Sequence, residues 1–331
     1  MRRREFITLL GGAVAMPSML GPRTAHAQQP PMPVIGFMSG RSPEDSTHLL
    51  AAFRQGLSEM SFAEGQNVVI EFRWARGQYD RLPALATELV ERPVAVLAAL
   101  GGDASSIVAR RATSTIPIVF GMGADPVELG LVDSFNRPGG NATGYTILTT
   151  QLEPKRIGLL RELVPTIPLM GALLGSNVPV AARQLREIEE ATRKIGQRLF
   201  VARAGNDTEL DAAFRALIEQ RVGAMLVAAS AYFDTTREQI IAFAARSKIP
   251  AIYQLREYAV AGGLISYGPR ITDAYHQAGV YVGRILRGTR PADLPVVQAS
   301  RFELVINMKT ADALGLAVPN SMQLLADEVI E

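Results

Sequence analysis

Short Val- and Ile-rich runs alternate with helical patterns along this chain, and the alternation runs through twice. The first pass opens with a strand at 34–38. A helix follows, with Ser42 as N-cap, Pro43 in its first turn and Asp45 three residues after the cap. Its apolar stripe is Leu49, Leu50, Phe53, Leu57 and Met60, at helical spacing. Strands are expected at 68–74, 94–98 and 118–120. Between them lie a helix capped by Asp80, carrying Leu82, Leu85, Leu89 and Val90, and a helix at 105–113. The second pass has strands at 169–174, 199–201, 224–228 and 251–253, with helices at 179–195, 210–220 and 237–246. The passes match in detail: Ala109-Arg110 precedes Ile116-Pro117-Ile118, as Ala245-Arg246 precedes Ile249-Pro250-Ala251. This order predicts two α/β lobes, each a doubly wound parallel sheet covered by helices on both faces.

The alternation then breaks. A strand at 263–267, a helix at 274–286, a strand at 302–307 and a helix at 310–314 are expected to return the chain to the first lobe and then to the second. Several crossings make a hinge, placed near 145–150, 267–270 and 295–301. Ligands in open α/β sheets sit beyond the carboxyl ends of the strands. Two such lobes facing each other form a cleft that closes by hinge motion.

The first 27 residues read as a secretory leader. Arg2, Arg3 and Arg4 start it, an apolar stretch runs from Thr8 to Leu20, and Ala25-His26-Ala27 ends it, with cleavage before Gln28. Arg3-Arg4-x-Phe6-Ile7 resembles a twin-arginine export signal, a receptor-read address and not an anchor. Removing 27 of 331 residues leaves 304, enough for two domains. The leader also carries four arginines against one glutamate, so the 34 basic and 32 acidic residues become 30 and 31. A near-neutral chain gives no electrostatic reason to expect nucleic acid or an anionic membrane as partner. There is no cysteine, which excludes disulfides, thiol nucleophiles, cysteine–zinc sites and a lipidated cysteine. Past the leader only His48 and His276 remain, so a histidine-rich metal site is excluded too. The expected product is an exported, periplasmic, soluble protein with no cofactor, no metal and no catalytic residue.

Several segments, in order, resemble the substrate-binding components of ATP-driven importers, in particular the tryptophan-binding-like family. They include Val34-Ile-Gly-Phe37, Glu64-Gly-Gln-Asn-Val68, Ile116-Pro-Ile-Val-Phe120, Asp125-Pro-Val127, Arg137-Pro-Gly-Gly-Asn-Ala-Thr-Gly144, Phe302-Glu-Leu-Val-Ile-Asn307 and Ala326-Asp-Glu-Val-Ile330. The resemblance covers nearly the whole chain after the leader. It implies the type I periplasmic-binding fold, with 33–147 plus about 270–297 as lobe 1 and 150–267 plus about 301–331 as lobe 2. It also implies capture of an amino acid or related small carboxylate, possibly aromatic, without chemistry, and delivery to a permease and its ATPase. A sensor that presents its ligand to a membrane receptor is the alternative.

The strand-end loops supply the candidate ligand residues. In lobe 1 these are Ser39, Gly101, Gly102, Asp103, Gly123 and Asp125. Glycines there let a ligand approach backbone N–H groups, and helix N-termini favour anions. Asp125 has two roles open, partner of a ligand ammonium or N-cap of a helix through Leu129 and Val132. Asp103 carries the same ambiguity and reads better as a cap. Where family members carry Thr-Pro or Ala-Thr, this chain has Gly102-Asp103. In lobe 2 the candidates are Asn177, Ser230, Phe233, Tyr253, Gln254 and Glu257, with Phe233 open as a stacking ring or a helix-start contact and Tyr253 as a stacking ring or an ordinary strand aromatic. The lone Trp74 and both remaining histidines read as packing or surface groups.

Rival folds fail on their motifs. No Gly-x-Gly-x-x-Gly turn follows a strand, and neither a Gly-x-Ser-x-Gly elbow nor a Walker loop is present. A two-lobe repressor needs a DNA-binding helix pair where this chain has an export signal.

Overall fold

The computed structural model describes residues 32–176 and 178–331. The leader and Asn177 lie outside them.

The first pass folds as β1 (Val34–Ser39), α1 (Thr47–Glu59), β2 (Val69–Trp74), α2 (Leu82–Val90), β3 (Val94–Leu100), α3 (Asp103–Ala112), β4 (Ile118–Met122) and β5 (Ala142–Thr146). The second folds as α4 (Glu153–Leu163), β6 (Met170–Gly175), α5 (Ala181–Lys194), β7 (Leu199–Ala204), α6 (Asp207–Glu219), β8 (Ala224–Val227), α7 (Ala231–Thr235), α8 (Arg237–Arg246), β9 (Ala251–Tyr253), α9 (Arg256–Val260) and β10 (Ile265–Pro269). The remainder is α10 (Ile271–Leu286), β11 (Val297–Gln298), β12 (Phe302–Asn307), α11 (Met308–Ala313), α12 (Asn320–Leu325) and β13 (Glu328–Ile330).

Two sheets result. One has the order β11-β5-β4-β3-β1-β2, parallel throughout. The other has the order β13-β12-β10-β9-β8-β6-β7, parallel except where β10 meets β12. The expected two-lobe α/β fold is found. Strands such as β3 and β8 are near-continuous apolar runs because helices cover both faces of each sheet. The Ile-Pro steps do the same job in each lobe. Leu97 N–H bonds to Pro117 C=O and Met225 N–H bonds to Pro250 C=O, each at 2.8 Å, setting the next strand alongside its neighbour.

The chain changes sheet between β5 and β6, between β10 and β11, and between β11 and β12. After β10 it sends α10 back against α1. That contact needs glycine: a Cβ on Gly56 would lie 2.1 Å from the His276 carbonyl oxygen, and one on Gly279 2.1 Å from that of Phe53. The two helices therefore cross backbone to backbone. Trp74 packs with Phe37 and Phe72, with ring centroids 5.4 and 6.0 Å away.

Boundaries differ where local hydrogen bonds compete. Ser42 does not cap α1. Residues Glu44–Ser46 form a 3-10 turn, and Ser46 Oγ donates to the Ser42 carbonyl at 2.7 Å. Asp80 likewise sits in a 3-10 turn ahead of α2. The helix expected after Asp125 is only a turn, closed by Leu129 N–H to Asp125 C=O and Leu131 N–H to Pro126 C=O. The short elements β5, β11, β13, α7, α9 and α12 were not expected; they span two to six residues, too few for a periodic signal, and the 11-residue α4, whose apolar residues do not gather on one face, was not expected either. Among the described residues, no helix is long and apolar enough to cross a membrane.

Candidate functional site

The loops beyond the carboxyl ends of β1, β3 and β4 in one lobe, and of β6, β8 and β9 in the other, meet around one cavity of about 740 Å³, part of it continuous with solvent. Lobe 1 contributes Arg41, Tyr79, Gly101, Gly102, Asp103 and Gly123. Lobe 2 contributes Val178, Pro179, Ser230, Ala231, Asp234 and Gln254. Ile147 and Thr149 on the first crossing, and Ile271, Ala274 and Tyr275 at the start of α10, complete the wall. Most of this lining is apolar.

The lobes touch across the cleft. Arg41 Nη1 donates to Asp234 Oδ2 at 2.6 Å, and Arg41 Nε reaches Asp45 Oδ1 at 3.4 Å. Arg41 and Asp234 are only 2% and 4% exposed. Asp234 is held from its own lobe by Gln254 Nε2 at 3.0 Å and by the Tyr258 hydroxyl at 3.1 Å, both on Oδ1. Burial works against the Arg41 charge, but the carboxylates of Asp234 and Asp45 outweigh it and raise the guanidinium pKa. The Tyr79 hydroxyl accepts from Tyr232 N–H at 3.2 Å and meets Ser230 Oγ at 3.4 Å. Farther out, His48 meets Glu257 at 3.1 Å, and Arg183 pairs with Glu128.

Of the expected residues, the structure brings Gly101, Gly102, Asp103, Gly123, Ser230 and Gln254 to the cavity. Gly101 has φ +80°, and a Cβ there would lie 2.1 Å from Ser39 Oγ, so the loop admits no side chain. Ser39 itself is fully buried behind the wall, its Oγ accepting from Arg41 N–H at 3.1 Å. Asp125 does not line the cavity. Its Oδ1 accepts from Val127 N–H at 2.8 Å and from Glu128 N–H at 3.3 Å, which is turn capping. Asp103 is not the N-cap of α3; that residue is Gly102. Instead Asp103 Oδ1 accepts from Gly123 N–H at 2.8 Å and Ala124 N–H at 3.0 Å, stapling the start of α3 to the loop after β4. Burial raises the Asp103 pKa, and these two N–H groups pull against it.

Phe233 is fully buried in the lobe 2 core, and Tyr253 stacks on Tyr258 at 4.7 Å. Neither lines the cavity. Glu257 faces His48 outside it. Asn177 lies outside the described residues, although Val178 and Pro179 beside it line the wall.

Sequence reasoning missed Arg41, Tyr79, Thr149, Asp234 and Tyr275. Arg41 sits two residues after Ser39, and Asp234 one residue after Phe233. A buried charge at the end of an apolar run was the available signal. Nothing in the sequence pairs positions 41 and 234.

The arrangement suits enclosure of a small molecule, with an apolar middle and polar groups held at fixed points. The family described as ABC transporter substrate binding protein matches residues 34–330, and the chain belongs to it. A tyrosine-binding protein of Clostridioides difficile is 24% identical over 282 residues, covering 83% of this chain and 80% of that protein. A conserved domain protein from Vibrio cholerae has a similar structure, with TM-score 0.82, 24% identity and coverage of 90% of this chain and 99% of that one. So does an ABC domain in complex with L-Trp from Streptococcus pneumoniae, with TM-score 0.80, 24% identity and coverage of 90% and 100%.

Proposed function

We propose that this chain is the exported solute-binding component of an ABC importer. It captures an amino acid or related small carboxylate, aromatic in character, and hands it to a membrane permease and its ATPase. The observation that carries the reading is the cavity between the strand ends of two lobes that touch across it through Arg41–Asp234 and Tyr79–Tyr232. Lobe 1 comprises 33–147 plus about 270–297, and lobe 2 comprises 150–267 plus about 301–331. The three sheet changes serve as the hinge. The relatives' names, tyrosine-binding and L-Trp-bound, support the aromatic amino-acid class. Export by the twin-arginine machinery to the periplasm follows from the leader's sequence.

A thermal-shift screen of the protein from Gln28 onward tests the ligand class, with amino acids, aromatic carboxylates, sugars and small amides as the panel. A ligand at a hundred times its Kd stabilises by about 2.7 kcal/mol. The expected result is a shift with L-tyrosine or L-tryptophan. A shift with sugars alone overturns the reading. Delivery is tested on the reconstituted permease and ATPase, whose ATP hydrolysis the loaded protein is expected to stimulate; no stimulation ends the importer role.

A further inference from the structure

The charges around the cavity do not balance. Arg41 is the one cationic side chain among the described lining residues, and it is already engaged by Asp45 and Asp234. Asp103 also lines the cavity and is 9% exposed. Its Oδ1 is committed to the two backbone N–H groups of Gly123 and Ala124. Among the described residues, no hydrogen bond or ion pair reaches Oδ2. The guanidinium is thus taken up by Asp45 and Asp234, and Asp103, with no cation bonded to it among the described residues, leaves one carboxylate oxygen to the cavity.

A carboxylate so placed has a definite geometry. The staple holds Oδ1 in place, because both backbone donors bond to it. Thr149, whose Oγ1 lies 3.5 Å from the Gly123 carbonyl oxygen, and the Gly123 backbone stand beside it. A neutral ligand atom there would leave a buried charge uncompensated. A carboxylate there would add a like charge at low dielectric. A protonated amine satisfies Oδ2 and offsets the Asp103 charge.

We infer that Asp103 selects the ligand by its protonated amine, Oδ2 accepting from the ammonium while Oδ1 holds the loop. This rests on the amino-acid reading above and assigns the amine, not the carboxylate, as the group the site cannot do without. The role sought at Asp125 thus falls to a residue 22 positions earlier, since Asp125 caps a turn away from the cavity.

The test compares ligand pairs that differ only in the amine: L-tyrosine with 3-(4-hydroxyphenyl)propionate, and L-tryptophan with 3-(indol-3-yl)propionate. Affinities are measured by titration calorimetry on the protein from Gln28 onward. In the unaltered protein the amino acid of a pair is expected to bind about 30-fold or more tighter than its deaminated acid. Asp103→Asn keeps an oxygen for the two backbone donors and removes the charge. It is expected to retain the native melting temperature and to shrink that preference below about threefold. A deaminated acid that binds the unaltered protein as tightly as its amino acid overturns the inference and leaves the amino-acid or carboxylate function standing. A preference that survives undiminished in a folded Asp103→Asn protein overturns it as well. If neither member of either pair binds, the aromatic ligand class of the proposed function falls and this inference falls with it.

Discussion

Two buried ion pairs in this molecule are built in opposite ways. Arg41 and Asp234 come from different lobes, and each is held by further partners, Asp45 on one side, Gln254 and Tyr258 on the other. Glu153 and Arg156 are three residues apart on α4, and both are fully buried. Their nearest atoms are 3.3 Å apart, yet among the described residues neither Glu153 oxygen has a hydrogen-bond partner, nor do Arg156 Nε and Nη1. The first pair exists only while the lobes touch. With the hinge proposed above, opening would return both charges to water, so desolvation and attraction would be switched together. The second pair bears its desolvation in every folded state. On the proposed hinge, a cross-cleft pair would tune closure, whereas an intrahelical one burdens the fold.

Removing one partner should break this contrast most sharply at the cleft. In Asp234→Ala, Arg41 keeps only Asp45 in the closed form. The closed form is expected to lose about 3 kcal/mol or more, so Kd for the best amino acid rises more than about a hundredfold. The ligand-free protein escapes by opening, and its melting temperature should fall by less than about 4 °C. Calorimetry and melting curves on the same preparation decide it. A large loss of melting temperature without ligand would mean the pair stabilises the fold and not closure.

The second pair should show itself against pH. Burial pushes the Glu153 carboxyl up to about 7, with Arg156 working against the shift. The folded state then holds a proton that the unfolded chain has released, so stability is greatest below the unfolded value and falls as pH rises from about 4.5 through 7. The full effect is about 3 kcal/mol. Glu153→Gln is expected to flatten this part of the urea-unfolding profile between pH 4.5 and 7.5. An unchanged slope would place the titration elsewhere.

The same contrast separates what was legible in the sequence from what was not. Each lobe was legible because its evidence is local: apolar runs, intervening periodic helices and the repeated Ile-Pro entries at Pro117 and Pro250. The glycine turn at Gly101 and Gly102 was legible for the same reason. Pairings across the cleft were not, since Arg41 and Asp234 stand 193 positions apart and share no spacing rule. Asp125 takes the cap role, one of the two open to it, and Asp103 is a staple where a cap was expected, because each carboxylate answers to the backbone donors within its reach. At Asp125 those are two and three residues onward in its own turn. At Asp103 they are the amides of Gly123 and Ala124, 20 and 21 residues away. Tyr275 reaches the wall only because α10 returns to lobe 1, a tertiary event resting on Gly56 and Gly279.

A smaller effect is expected at Tyr79, whose hydroxyl bridges to Tyr232 and Ser230 without any charge. Tyr79→Phe keeps the ring in the wall and deletes that bridge. It should cost about 1 kcal/mol of closure, or about fivefold in Kd, with the ligand-free melting temperature unchanged. An effect as large as that of Asp234→Ala would mean that Tyr79 touches the ligand.

The smallest effect belongs to the rim. His48 and Glu257 also link the lobes, but the His48 side chain is 43% exposed. Water already solvates that group in both arrangements, so closing gains little and holding two side chains in register costs entropy. His48→Ala is expected to change Kd by less than about twofold. Raising the salt concentration should erase even that change, because an exposed pair is screened where the buried Arg41–Asp234 pair is not. Titrations of both variants at low and high ionic strength separate the two kinds of contact. If His48→Ala weakened binding as much as Tyr79→Phe, closure would be governed by its rim, and burial would not be what distinguishes the cross-cleft contacts.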